Sequence, residues 1–337
     1  MTRPGRRTLW IAAGATLASL ALLTACATAH LRPIPPRGPV PASASISIQS
    51  APVPLDPADP GRQAVGDFRY LGGLALTSTD TSRLHGLSDL VVSPDGTIIA
   101  PTDDGDILRA KLLFGPDGRL SGLGEATLKP LLGASGEPLQ GKGEGDAEGL
   151  SLLANGDLLV SFERDHRIWR YPAATGASPV AVPMPTLAMQ SNDGMEGLAA
   201  APSLYSDGYW VGVEPGSIWF CRQQLSCRPV EGLPVPPVGY RLSALTAGPA
   251  GELVILHHSF IPSIGSRIIL TIVSKPMGEK TVIGRLAMGP STTVDNFEGV
   301  AVVPRADGSW RLYLLSDDNF NDRQRTLLLA FDWTPPK

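Results

Sequence analysis

The sequence predicts an all-β fold, a β-propeller of five four-stranded blades. Three observations carry that prediction. A short signature recurs five times: Leu87-Ser88-Asp89-Leu90, Ala147-Glu148-Gly149-Leu150, Met195-Glu196-Gly197-Leu198, Leu242-Ser243-Ala244-Leu245 and Phe297-Glu298-Gly299-Val300. The Ser/Glu positions lie roughly 47 to 60 residues apart, and each copy leads into an apolar run, a turn and a second apolar run. The chain carries 37 Gly and 32 Pro in 337 residues with 18% charged residues, a turn-rich composition, and no long window has helical spacing of apolar residues.

Taken from the N-terminus, residues 1–25 read as an export signal. Arg3, Arg6 and Arg7 precede an apolar stretch from Leu9 to Leu23, which is too short to span a bilayer comfortably. Leu23-Thr24-Ala25-Cys26 resembles a bacterial lipobox, so Cys26 is the expected lipidated first residue of the mature protein. Ala27 after it fits sorting to the outer membrane. The expected location is the cell envelope, on the periplasmic side. Residues 26–65 are rich in Pro, Ala and Ser, and the prolines predict an extended tether without regular structure. Residues 66–335 form the expected propeller domain.

Blade two is the clearest, with strands expected at Leu150–Leu153, Leu158–Phe162, His166–Tyr171 and Val180–Pro183. Blade three reads Leu198–Ala201, Tyr209–Val213, Ser217–Arg222 and Cys227–Val230; blade four reads Leu245–Ala247, Leu253–His257, Arg267–Ser274 and Thr281–Leu286. Blade five has only Val300–Val303, Trp310–Ser316 and Thr326–Trp333 before the chain ends. Asp67–Leu76 is the expected missing strand. Pairing it with Thr326–Trp333 closes the ring and removes two sheet edges. A sixth blade would require Lys111–Lys142 to fold separately. With Cys26 lipidated, Cys221 and Cys227 remain, spaced for two strands of one hairpin and free to form a disulfide in an oxidising compartment.

The full chain has net charge −4; without residues 1–25 it has 25 basic against 32 acidic residues. That balance excludes nucleic acid as a partner. The first two strands of a blade are antiparallel, so the start of one and the end of the next meet near the axis. Ser88, Glu148, Glu196, Ser243 and Glu298 start the first strands; Asp103 and Asp104, Glu163, Glu214, His257 and His258, and Asp317 and Asp318 end the second. Asp146, Asn192, Asp193, Asp295, Asn296 and Asn319 lie close by in sequence. Adjacent histidines on a strand face opposite ways, so one of His257 and His258 can face the channel.

So many carboxylates at close range must be protonated or neutralised. An oxygen-rich, sulfur-free rim favours Ca²⁺, or Mg²⁺, over zinc. Asp103, Asp104, Glu163, Glu214, Asp317 and Asp318 are the expected metal ligands. Glu148, Glu196, Glu298, His257 and His258 are the expected catalytic acids and bases, and Arg164 and Arg241 the substrate-binding cations. There is no Gly-x-Ser-x-Gly elbow, no Arg-His-Gly run, no phosphate-cradling glycine loop and no His-Glu-x-x-His, so a metal-activated water fits better than a serine nucleophile.

Gly86-Leu87-Ser88-Asp89-Leu90, Asp146-Ala147-Glu148-Gly149-Leu150, Asn192-Asp193-Gly194-Met195-Glu196-Gly197-Leu198, Asn296-Phe297-Glu298-Gly299-Val300 and Leu315-Ser316-Asp317-Asp318-Asn319-Phe320 together resemble the phytase-like domain family, also called the esterase-like activity of phytase family. The resemblance covers essentially all of residues 66–335. It implies a bacterial, often exported, propeller-like protein, and its label carries both phytase and esterase activities. Two readings follow. One is a membrane-anchored, monomeric, metal-dependent hydrolase of small phosphoesters or other esters; Lys142 is the one lysine near a repeat start, which argues against a densely anionic substrate such as phytate. The other is a non-catalytic propeller lipoprotein that binds a ligand or envelope partner. There the glutamates fasten blade to blade or hold a structural cation.

Overall fold

Short β-branched and aromatic runs separated by Asn-Gly, Asp-Gly and Pro-x-Gly turns cannot bury their faces alone, so they stack as sheets around an axis. The computed structural model describes residues 44–173 and 177–336. The expected export signal, Cys26 and the first part of the expected tether lie outside the described residues.

The chain begins with β1 (Gln49–Val53), β2 (Ala64–Val65) and β3 (Phe68–Thr77). Blade one is β4 (Val91–Val92), β5 (Thr97–Pro101), β6 (Asp106–Phe114) and β7 (Leu120–Pro130), followed by the short helix α1 (Gly141–Gly145). Blade two is β8 (Ala147–Leu152), β9 (Leu158–Phe162), β10 (Arg167–Tyr171) and β11 (Val180–Val182). Blade three is β12 (Gly197–Ala200), β13 (Gly208–Gly212), β14 (Ile218–Arg222) and β15 (Cys227–Pro229). Blade four is β16 (Arg241–Ala247), β17 (Leu253–Ile261), β18 (Gly265–Ser274) and β19 (Thr281–Met288). Blade five is β20 (Asn296–Pro304), β21 (Trp310–Asp317) and β22 (Leu327–Trp333).

All five sheets are antiparallel, and residues 111–130 lie in β6, β7 and the turn between them, so the described residues form five blades and no sixth. β3 pairs with β22 from Ala75↔Leu327 to Arg69↔Asp332, which completes blade five with an N-terminal strand as the sequence predicts. The structure differs from the expected tether in one respect. β1, with Pro52 within it, pairs with β3 as a fifth strand of that blade. Proline is tolerated there because β1 is an edge. Beyond β1, Leu55 is fully buried, its carbonyl accepts from Thr293 N at 2.7 Å, and Tyr70 Oη donates to Val53 O at 2.6 Å. Domain structure therefore begins well before residue 66. Cys221 and Cys227 are opposite one another on β14 and β15 and are joined by a disulfide.

The signature's small residue packs one blade on the next. A Cβ on Gly197 would lie 2.5 Å from Leu245 N, one on Gly149 3.1 Å from Leu198 N, and one on Gly299 3.1 Å from the Asp89 backbone. Each neighbour belongs to the following inner segment, so glycine is what lets the inner strands approach. Seams are also bonded. Leu150 N donates to Asp89 Oδ2 (2.8 Å), Ser161 Oγ to Met195 O (2.6 Å), and Ser243 Oγ to Phe297 O (3.0 Å). Serine and aspartate, rather than the signature glutamates, do the fastening.

Leu55 tests how far the fold extends toward the N-terminus. Leu55→Ala is expected to cost about 2–5 kcal/mol. That corresponds to a Tm drop on the order of 10 °C. A Tm within 2 °C of wild type would return the segment before residue 66 to the role of a tether.

Candidate functional site

The local backbone sets the signature residue apart from its glycine. The β8–β9, β16–β17 and β20–β21 ladders each slip at the signature, between Ala147 and Leu150, Leu242 and Ala244, and Phe297 and Gly299. A bulge at a strand start re-aims one side chain. Here Glu148, Ser243 and Glu298 all point into an axial cavity of about 480 Å³. The end of each second strand is tied to the segment before the first. Asp103 N donates to Gly86 O (2.8 Å), Glu163 N to Asp146 O (2.8 Å), and Glu214 N to Gly194 O (3.1 Å). Strand-two acids are thereby held beside strand-one acids.

Eight carboxylates line this cavity: Asp103, Asp146, Glu148, Glu163, Glu196, Glu214, Glu298 and Asp317. Its cations are Lys142, Arg164 and Arg241, and all three are paired with acids. Lys142 Nζ bonds Asp103 and lies 3.8 Å from Asp146 Oδ1; Arg164 Nε bonds Asp146 Oδ2. Arg241 reaches Asp193 at 2.6 Å and Glu214 at 2.8 Å.

The charge imbalance shows in the acids. Burial, then the charges of Glu196, Asp146 and Glu298, holds Glu148 well above the usual carboxylate range. Burial also raises Glu196, joined by Glu214 and Glu163, and Glu298 and Asp317 are raised the same way. Burial and Asp146 push Glu163 up to about 7, and burial pushes Asp103 to about 6 against the pull of Lys142.

Asp146, Glu148 and Glu163 each offer a carboxylate oxygen, all within 4.8 Å of one another. This all-oxygen set suits a hard divalent cation. Asp103 Oδ1 and His258 Nε2, on two residues that line the cavity, are buried without a hydrogen-bond partner among the described residues. Buried polar atoms left unmatched at a cavity wall fit a site built around a ligand.

Several expected residues are placed elsewhere. Asp318 turns away from the axial cavity. Its carboxylate is taken up by His85 Nδ1 (2.6 Å), Gly86 N (3.2 Å), Phe320 N (3.1 Å) and Thr326 Oγ1 (3.0 Å), so it fastens blade five to blade one and is no axial metal ligand. Asp104 does not line the cavity either. His257 is buried away from the cavity, with Leu242 opposite it, while His258 lines the wall opposite Arg241. Burial lowers both histidines to about 4, so neither is a strong base. Asp146 and Lys142 carry more of the site than their sequence positions indicated. Asp146 immediately precedes β8, and Lys142 lies in α1 just before it.

The fold has many relatives among solved structures. The Cps50 (Swd1) β-propeller domain of Myceliophteria thermophila is 10% identical, with a TM-score of 0.35; the alignment covers 69% of this chain and 66% of that one, so this chain spans a little under two thirds of its length. A putative gluconolactonase is 13% identical at a TM-score of 0.44, covering 88% and 95%. Virginiamycin B lyase from Staphylococcus aureus is 9% identical at a TM-score of 0.40, covering 85% and 99%. Among curated proteins, none matches the chain. The phytase-like family model, esterase-like activity of phytase, matches residues 82–320, and the chain belongs to that family.

Proposed function

We propose that the protein is a lipid-anchored, metal-dependent hydrolase of small esters or phosphoesters, working at the axial cavity. The observation that carries this reading is the convergence there of eight carboxylates against three cations that are all already paired. Asp146, Glu148 and Glu163 would hold the divalent cation, Ca²⁺ or Mg²⁺. Such an ion, when bound, polarises an ester oxygen and lowers the pKa of a water. Glu298, held toward its protonated form and hydrogen-bonded from Asn296 Nδ2 at 2.6 Å, is placed to donate a proton to a leaving oxygen. Glu196, raised in the same way, is the second proton carrier. Arg164 and Arg241 orient the substrate, and their ion pairs favour a small substrate over a densely anionic one.

Those same ion pairs favour a second reading, in which the cavity holds a cation without turnover. The two separate in one assay. Full-length protein in detergent, stripped with chelator and reloaded with Ca²⁺ or Mg²⁺, is expected to gain an ion-stimulated rate of p-nitrophenyl phosphate or p-nitrophenyl acetate hydrolysis above the rate in chelator. Glu148→Gln is expected to reduce the ion-stimulated rate about 100-fold or more. Folded, ion-loaded protein that turns over both esters no faster than chelated protein would establish the binding reading.

The raised carboxyls also predict how the metal-free protein responds to pH. An acid whose folded value exceeds its unfolded value binds a proton in the folded state that the unfolded chain releases. For Glu163 the stabilising difference is complete below about 4.5, its ordinary value, and is lost as pH rises through about 7. Metal-free protein is expected to melt several degrees lower at pH 8 than at pH 5. Millimolar Ca²⁺ is expected to raise Tm strongly at pH 8 and little at pH 5. A melting temperature insensitive to both would mean that the rim carries no unmet charge.

The anchor belongs to the same proposal and is carried by Leu23-Thr24-Ala25-Cys26. Cys26→Ala is expected to move the protein from the membrane fraction to the soluble fraction. Unchanged fractionation would dismiss the lipid.

A further inference from the structure

The turn from Asp317 to Phe320 has two faces. Asp317 and Asn319 line the axial cavity, whereas Asp318 and Phe320 line a second cavity of about 290 Å³ with Leu76, His85, Gln324 and Arg325. Asn319 and Phe320 both lie at φ 49°, consecutive left-handed positions that cost energy in a non-glycine residue. The two cavities are near neighbours: Lys142 Nζ, on the axial side, is 5.7 Å from the Phe320 ring centroid.

His85 is the distinctive group of this second cavity. Its Nδ1 lies 2.6 Å from Asp318 Oδ2; its side chain is 41% exposed and that of Asp318 only 9%. The backbone N–H groups of Gly86 and Phe320 and the Thr326 hydroxyl fix the carboxylate. Burial pushes Asp318 up, and the bonds from His85, Gly86 and Phe320 outweigh it and hold the acid below the usual carboxylate range. An ionised carboxylate as partner puts the imidazole proton on Nδ1 and leaves Nε2 with its lone pair. Nε2 has no hydrogen-bond partner among the described residues. The Phe320 ring packs against the imidazole at 5.6 Å between centroids, and Leu76 adds apolar wall. Arg325, paired with Asp295 at 3.5 Å, and Gln324 bring N–H donors to the same space.

We propose that this second cavity is a metal-independent esterase site for a small carboxylic ester with an apolar acyl or aryl group, with His85 as general base and Asp318 as its positioning residue. Water attacks the ester carbonyl while Nε2 accepts its proton. The new carbon–oxygen bond forms and the carbonyl oxygen takes the negative charge, facing the donors of Arg325 and Gln324. On collapse the ester C–O bond breaks, and Nε2 returns the proton to the departing alkoxide or phenoxide, which leaves a carboxylic acid and an alcohol. No ion, oxidant or co-reactant enters. Asp318 and Asp103 are the acids that act on His85, and both favour its charged form, so the base form fills only as pH rises past the ordinary histidine range. Asp322 and Arg325 are the other charged groups of the cavity.

The test uses full-length protein in detergent with excess chelator and p-nitrophenyl butyrate as substrate. Saturable turnover is expected to persist, with a rate that rises through neutral to alkaline pH. His85→Gln is expected to lower it about 100-fold, and imidazole in solution is expected to restore part of the loss in His85→Ala. Asp318→Asn is expected to lower the rate and move the rising limb to lower pH, which a merely structural role would not do. Should Asp318→Asn fail to fold, the His85 variants and the wild-type pH profile decide alone. Chelated wild type without saturable turnover, or His85→Gln as fast as wild type, overturns the proposal. Ion-stimulated turnover is read separately in the same protein, so the axial and second-cavity readings fail independently.

Discussion

The approach of each inner strand to the next is the constraint on which the rest of the molecule depends. At three of the five seams a glycine stands where any side chain would meet neighbouring backbone or a leucine side chain at 2.5 to 3.1 Å. Close approach narrows the axis, and a narrow axis brings acids from different blades within interaction range. The bulge at the same point then turns Glu148, Ser243 and Glu298 inward, whereas a regular strand would leave them in the pleat alternation. Packing and site are thus two consequences of one dipeptide, with glycine serving the seam and glutamate the cavity.

The axial cavity is a region of uncompensated negative charge inside a stable scaffold. Ion pairs to Lys142, Arg164 and Arg241 relieve part of it, and protonation of the most buried acids relieves more. A folded protein keeps such an arrangement at a cost in stability, because like charges in a half-buried site raise one another's energy. Serine hydroxyls, backbone amides and Asp89 hold the seams together, and the cavity acids are largely left over from that work.

Much of this was legible in the sequence because it recurs. Five copies of the signature pointed to five blades, with a sixth left open at Lys111–Lys142, and the missing fourth strand of the last blade identified β3 as its donor. The common rim followed from antiparallel geometry alone. What escaped was non-periodic. Asp317 and Asp318 look equivalent in sequence, but two left-handed residues follow them and the second carboxylate meets His85; Asn319 is a residue type that visits that conformation, whereas nothing in local composition marks Phe320 for it. Leu55 and β1 were hidden by the surrounding prolines, which read as tether. Their burial is a tertiary effect that overrides the local signal. Lys142 lies in a glycine-rich stretch outside the repeat pattern.

Blade five draws strands from both ends of the chain. Arg69 and Asp332, which bond across β3 and β22, are 263 residues apart. Until the last strand exists, β3 has only the short N-terminal strands β1 and β2 beside it, and every shorter product presents a raw hydrogen-bonding edge. Assembly must therefore finish with a single long-range capture, the slowest kind of contact for a chain to make. A nascent molecule stays adhesive until that capture occurs.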